Sequence, residues 1–448
     1  MSSAPLSWWG IVQLGLVQTA LGSIVVLTTS TLNRVMVVEL ALPALLPGAL
    51  VALHYLVQVL RPRLGHGSDV GGRRTAWIIG GMATLALGGT LAALATAWMG
   101  TYLIGGILLA ALAFALIGLG VGAAGTSLLV LLAKRVEPRR CAAAATIVWL
   151  MMIVGFVVTA TAAGQLLDPY SPRRLVMVTA GVCVLAFVVA WIAVRNVEGP
   201  GPENAPRDAP AAAKLSFRAA LAEAWRDEEA RRFTVFVFVS MLAYSAQDLI
   251  LEPFAGTVFG LTPGESTKLS GVQHGGVLVG MLLVAFVATL AGTGRAGSLR
   301  NWTIAGCVAS AFALAGLAAG GVVGPGWPLR PSVFALGVAN GAFSIAAIGS
   351  MMRLAGAGQN AREGVRMGLW GAAQALAFGL GGLVGTAASD LARYLVAAPG
   401  LAYALVFAAE GLFFIYAARL AWQVGKAEPA APRAVLDAPG VSRVAGMG

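Results

Sequence analysis

A chain of 448 residues that is 58% hydrophobic and only 11% charged, with a mean hydropathy of +0.83, carries more apolar surface than a water-soluble core can hide. It is read as an all-α polytopic membrane protein. Its net charge of +11 does not describe a nucleic-acid surface, because no basic run is interleaved with aromatic residues as single-strand binding requires.

From the N-terminus, "MSSAPLSWWG" offers no basic region ahead of its apolar run, so a cleaved signal peptide is not expected. Twelve apolar runs then approach the roughly 20 residues that a bilayer core needs. They lie at 11–31, 40–60, 76–98, 103–132, 143–167, 174–194, 233–255, 267–290, 302–321, 331–355, 366–392 and 400–422. A polar stretch at 195–232 divides six from six. This predicts a six-helix bundle over 1–194, a cytoplasmic linker over 195–232 and a second six-helix bundle over 233–423. The linker opens with a Pro-rich segment. Phe217, Leu221 and Trp225 then fall at i, i+4 and i+8, which gives either an amphipathic helix lying on the membrane or a solvated linker helix. Residues 424–448 have the composition of a disordered tail.

The basic residues orient these spans. With both termini cytoplasmic, only Arg34, Arg173, Arg174, Lys268, Arg330 and Arg393 of the 30 Lys and Arg fall on the far side. The positive charge is therefore a topology signal.

Between spans 2 and 3, "GHGSDVGGRR" places Gly65, Asp69, Gly72, Arg73 and Arg74 at the spacing G-x-x-x-D-x-x-G-R-R. Glycines permit a tight turn, and the acid can pair with a basic residue or a helix N-terminus. The string resembles the loop signature of the major facilitator superfamily. That resemblance implies 6+6 bundles joined by a cytoplasmic latch. The glycine pairs in "GLGVG" (118–122), "GVQHG" (271–275), "GVLVG" (276–280) and "GGLVG" (381–385) read as close helix packing within the chain. Cys141, Cys183 and Cys307 have no metal-type spacing and read as small apolar-core residues.

Polar residues inside the spans are the candidate functional groups. Asp248 and Glu252 lie four apart on one face of span 7, beside Gln247 and roughly 24 and 30 Å up the helix at 1.5 Å per residue. Pro253 disfavours helical geometry at Glu252, so a break or kink is expected there. In "TLNRVMVVEL", Asn33, Arg34 and Glu39 fall just past the end of span 1. The two halves thus carry polar groups at matching places, where repeat-built transporters gather sites and gates. Arg34 is expected to pair with Asp248, Glu252 or Glu39 across the half–half seam; the alternative is that these are interfacial charges that snorkel to water. Glu410 stands alone in the middle of span 12, as a hydrogen-bonded structural acid or a proton-coupling group. His54 and His274 occupy corresponding spans of the two halves at different depths. Each is a candidate ligand to the magnesium of a chlorin, or a packing histidine. No nucleophile triad, phosphate loop, zinc spacing or paired catalytic carboxylates occur, so no enzyme and no fixed cofactor or metal are expected.

Two longer strings narrow the resemblance. Residues 14–55, with "TSTLNRVMVVEL", and residues 246–276, with "QDLILEPF", look like the PucC/LhaA family, a branch of that superfamily from phototrophic bacteria. The resemblance implies an assembly factor of the inner or intracytoplasmic membrane. Such a factor delivers bacteriochlorophyll, as transient cargo, to light-harvesting α and β polypeptides or to the reaction-centre antenna core. It implies contacts with membrane lipids, no nucleic acid, and a homo-oligomer as a further expectation. The alternative from the residues is a proton-coupled secondary transporter of an amphiphilic small molecule.

Overall fold

The computed structural model describes residues 6–60, 74–137, 140–195, 197–198, 225–226, 228–291, 298–356 and 363–423. The signature residues Gly65, Asp69, Gly72 and Arg73, most of the linker helix and the tail after 423 lie outside them. Most of the described residues are helical, and none of them is in a strand. In chain order the helices are α1 (Trp8–Glu39), α2 (Leu45–Val57), α3 (Arg74–Met99), α4 (Leu103–Arg135), α5 (Cys141–Leu166) and α6 (Pro172–Val194). There follow α7 (Glu228–Phe259), α8 (Pro263–Ala291), α9 (Leu299–Val323), α10 (Leu329–Gly356), α11 (Glu363–Leu395) and α12 (Pro399–Gln423). Eleven of these are long and apolar enough to cross a membrane; α2 has 13 residues and is extended by a 3-10 turn at Gln58–Leu60.

Three expectations are corrected. Span 1 does not end at residue 31. Two five-residue π-helical turns, Leu27–Thr31 and Val35–Glu39, carry it on to Glu39, so Asn33 and Arg34 are inside the helix and buried. Span 7 does not break at Pro253, because α7 runs continuously through it. Span 2 falls short of the common length, with Pro43 and Pro47 crowding its start.

The apolar core forms two main clusters. One draws on α1 to α6, with Leu249 of α7 joining it; the other draws on α7 to α12. Across the divide α5 packs on α8, α2 on α11, and α1 on α7 and α8. Small residues set the closest crossings. A Cβ on Gly276 or Gly280 would collide with the α10 backbone at Phe334 or Val338, and one on Gly381 with Leu242 of α7. Cys183 and Cys307 are buried and free.

The first helix of each half closes in the same way. Ala41 has φ 50° and Leu42 N–H reaches back to Met36 O at 3.0 Å; Gly260 has φ 68° and Leu261 N–H reaches Ala255 O at 3.3 Å. Each end uses a left-handed residue to return an N–H to a carbonyl six residues back. Helix α8 then begins with a reciprocal cap. Thr262 Oγ1 accepts from Glu265 N–H at 3.2 Å, and Glu265 Oε2 accepts from Thr262 N–H at 3.0 Å.

Candidate functional site

The seam between the halves gathers the polar residues of α1, α7 and α8. Pro253 has no N–H, so the carbonyl four residues back, Leu249 O, loses its intrahelical donor. Asn33 Nδ2 of α1 donates to it. An orphan acceptor inside a membrane is costly, so this bond explains why α7 tolerates its proline and ties the two first helices together.

The next residue, Arg34, is 2% exposed and pairs with Glu39 of its own helix. Its Nη2 crosses to Leu261 O at 2.5 Å. Of the three expected partners Glu39 is the one that pairs, and the expectation is corrected in place: the ion pair stays within α1, and the crossing of the seam is made to a backbone carbonyl. The π turn places Glu39 five residues after Arg34, within reach. Gly256 makes room for this arrangement, since a Cβ there would lie 3.0 Å from Arg34 Nη2 and 3.1 Å from Val38.

Asp248 and Glu252 both turn to α8. Asp248 Oδ1 accepts from Gln273 Nε2 at 3.1 Å, and Glu252 Oε2 accepts from Ser266 Oγ at 3.2 Å. Glu252 is 1% exposed and its other oxygen has no partner. Gln247 is fully buried, with neither amide atom bonded. Hydroxyl pairs join α1 to α8: Thr31 with Thr267 at 3.0 Å and Ser30 with Ser270 at 3.5 Å.

Above these layers a cavity of about 660 Å³ opens between the halves, lined among others by Arg34, Glu39, Asp168, Tyr170 and Thr262. Asp168, between α5 and α6, accepts from Thr262 Oγ1 at 2.9 Å and faces Lys268 Nζ at 3.7 Å. Burial, then the Glu39 charge, raise the Tyr170 phenol above its ordinary range, while Arg34 acts against them. On the same face Asp390 of α11 caps α2, accepting from Ala44 N–H at 2.9 Å and Leu45 N–H at 2.7 Å.

The histidines differ in their bonding. His274 Nδ1 lies 2.9 Å from Ser270 O. A carbonyl only accepts, so Nδ1 carries the hydrogen, and in the neutral ring Nε2 then keeps its lone pair. The ring meets Phe156 of α5 edge-on at 4.8 Å. His54 Nε2 is engaged by Gln58 Nε2 at 2.8 Å. Glu410 is 4% exposed and neither of its oxygens has a hydrogen-bond partner.

Of the expected latch, Arg74 is described. Its N–H and that of Thr75 donate to the two Glu198 oxygens, each at 2.8 Å, and Arg135 Nη1 donates to Glu198 O. Burial pushes the Glu198 carboxyl up. Bonds from Thr75 and Arg74 and the Arg74 charge outweigh that and hold it below its ordinary value.

Sequence reasoning passed over the α8 partners Ser266, Ser270 and Gln273. Their spacing of four and three residues marks one polar face of a helix, and that spacing was the available signal. Asp168 and Asp390 sit near helix ends, where a charge is ordinary.

Among the described residues, twelve helices packed as two groups of six, with polar groups along the seam between them, define a fold of the major-facilitator type. The solved nucleoside transporter NupG superposes with TM-score 0.63 at 14% identity, covering 93% of this chain and 100% of that one. A peptide transporter POT in complex with sulfate superposes with TM-score 0.69 at 15% identity, covering 94% and 96%. The family described as PUCC protein matches residues 31–428, and the chain belongs to it. The "Bacteriochlorophyll synthase 44.5 kDa chain" of Rhodobacter capsulatus is 54% identical over 430 residues, 95% of this chain and 97% of that one. "Protein PucC" of Cereibacter sphaeroides is 30% identical over 441 residues, 90% and 89%.

Proposed function

We propose that the chain handles bacteriochlorophyll in a bacterial cytoplasmic or intracytoplasmic membrane and delivers it to light-harvesting antenna polypeptides as they assemble. Membership of the PucC family and a relative named for bacteriochlorophyll support this reading. The observation that carries it is His274. With Nδ1 committed to Ser270 O, its Nε2 presents a neutral lone pair at the α5–α8 crossing between the halves. The magnesium of a chlorin takes one such axial nitrogen. In this reading His274 holds the pigment in passing, and His54, already engaged by Gln58, does not. The chain acts as carrier and assembly factor rather than catalyst, with both termini cytoplasmic and the cavity near Arg34 opening on the opposite face.

The test is gentle purification of the full chain from a phototrophic host, followed by absorbance and identification of copurifying small polypeptides. Chlorin absorbance is expected, together with antenna α and β polypeptides. His274→Phe is expected to lose the pigment and His54→Phe to keep it. A colourless wild-type protein, together with a deletion strain whose antenna spectrum is intact, overturns the reading.

A further inference from the structure

We infer that Asp248 and Glu410 together form a proton-binding site inside the bundle, seated where α7 meets α8 and α12. This stands apart from the pigment reading and would serve any cargo the seam carries.

The placement comes from the packing of α7 on α12. Phe254 of α7 lies 5.5 Å from Tyr403 and 5.0 Å from Phe407 of α12, and Phe414 of α12 lies 5.8 Å from Phe343 of α10. Glu410 falls between these aromatic contacts, and Gln247 and Asp248 fall about two turns below Phe254 on α7. The layer between the rings is polar instead of apolar. Glu410 is within electrostatic range of Asp248. Gln247 and Asn340 of α10 are fully buried beside this layer. Asn340 accepts one bond from Ser310 of α9 at 2.8 Å, and its amide nitrogen has no partner.

No cation is available to this pair among the described residues. Arg34 spends its fork on Glu39 and Leu261, and its charge acts on Glu252, one turn from Asp248. Lys268 faces Asp168. The other titratable groups that face the pair are neutral. Tyr244 of α7 lies in range of Asp248 and of Tyr55 from α2. His274, on α8 next to Gln273, has its Nδ1 hydrogen on Ser270. From α9 the nearest such group is the buried Cys307, a turn from Ser310. From α11, Asp390 and Arg393 act on Tyr403, about two turns away along α12.

Glu410 is buried and Asp248 half-buried, and two such carboxyl groups without a cation do not both stay anionic, because an uncompensated charge away from water is poorly solvated. A proton on Glu410 lets it donate to one of the open acceptors in the layer, such as Gln247 Oε1. Its loss leaves two like charges at the junction of α7 and α12 and drives them apart. Gln273 holds Asp248 to α8 and α8 carries His274, so the state of the pair is transmitted to the seam.

Infrared spectroscopy of the reconstituted full chain tests this without reference to pigment. At neutral pH the wild type is expected to show a protonated-carboxyl stretch that disappears as the pH is raised. Of its glutamate component, identified by its shift on ¹³C-glutamate labelling, the portion that Asp248→Asn displaces should be lost in Glu410→Gln and kept in Glu252→Gln. In Asp248→Asn the Glu410 component should bind its proton about tenfold less tightly, as expected for coupled acids. If Glu410→Gln does not fold, the labelled wild type and Asp248→Asn decide the matter alone. Absence of the band in the wild type at every pH, or a titration unchanged by Asp248→Asn, overturns the proposal. A colourless protein that nonetheless shows the coupled titration removes the pigment reading and leaves this one standing.

Discussion

Asn33 on α1 supplies to Leu249 on α7 the hydrogen bond that Pro253 cannot. One side chain thereby repairs a helix that belongs to the other half of the molecule, and the repair sits in the middle of the polar seam.

This dependence is measurable as a double-mutant cycle. Asn33→Ala should cost about 1–3 kcal/mol of stability, the penalty of an unsatisfied buried acceptor. In a Pro253→Ala background the restored N–H satisfies Leu249 O within the helix. The same Asn33→Ala change should then cost at least about 1 kcal/mol less. Thermal midpoints of the four proteins in one detergent check it, and additive effects would refute the linkage.

The paired helix ends make a second case. Ala41 holds a left-handed conformation that Gly260 adopts at the corresponding end of α7. A side chain there costs roughly 1–2 kcal/mol. Ala41→Gly should therefore raise the thermal midpoint and Gly260→Ala should lower it, each by about that amount. Equal effects of the same sign would show that the two ends are not equivalent.

Glu198 gives a pH dependence whose sign is fixed by its bonding. Its carboxyl titrates below the ordinary value of 4.5 in the folded chain. Its contribution to stability is therefore complete above that value and is lost as the pH falls through the lower, folded one. Thermal melts from pH 7 down to pH 3 should show part of the acid-side loss disappearing in Glu198→Gln, which should also be less stable than the wild type at pH 7.

Close packing of α8 on α10 supplies a fourth test. Gly276→Leu or Gly280→Leu must push the α10 backbone away. Such overpacking costs typically 1–3 kcal/mol and sometimes more. Gly275→Ala, one residue along and with nothing near its Cβ position, should be nearly neutral in the same melt.

The eleven long apolar helices among the described residues and the division into halves were legible because a bilayer demands long apolar runs and tolerates few others. Arg34, Asp248 and Glu252 stood out because charge is rare in such runs. The failures share one cause, which is that local rules were overridden by partners distant in sequence. Pro253 reads as a helix breaker only while Asn33, 220 residues earlier in the numbering, is out of view. The polar string "LNR" reads as the end of span 1 until α7 and α8 are seen to bury it. Glu39 reached Arg34 through a π turn, a spacing that ordinary helical periodicity does not suggest. The polar face of α8 carries weak signals one residue at a time and becomes evident only where Gln273 and Ser266 meet the acids of α7.

Asp390 has a consequence for the working cycle of the molecule. Its two oxygens hold the first free amides of α2, yet it belongs to α11, in the opposite half. If the halves part on that face, a helix start is stripped of its cap, a loss of about 1 kcal/mol that shifts the balance of conformers about fivefold. The start of α2 thus tells which way the halves lean, and water or another acceptor that takes up those amides lowers the cost of parting them.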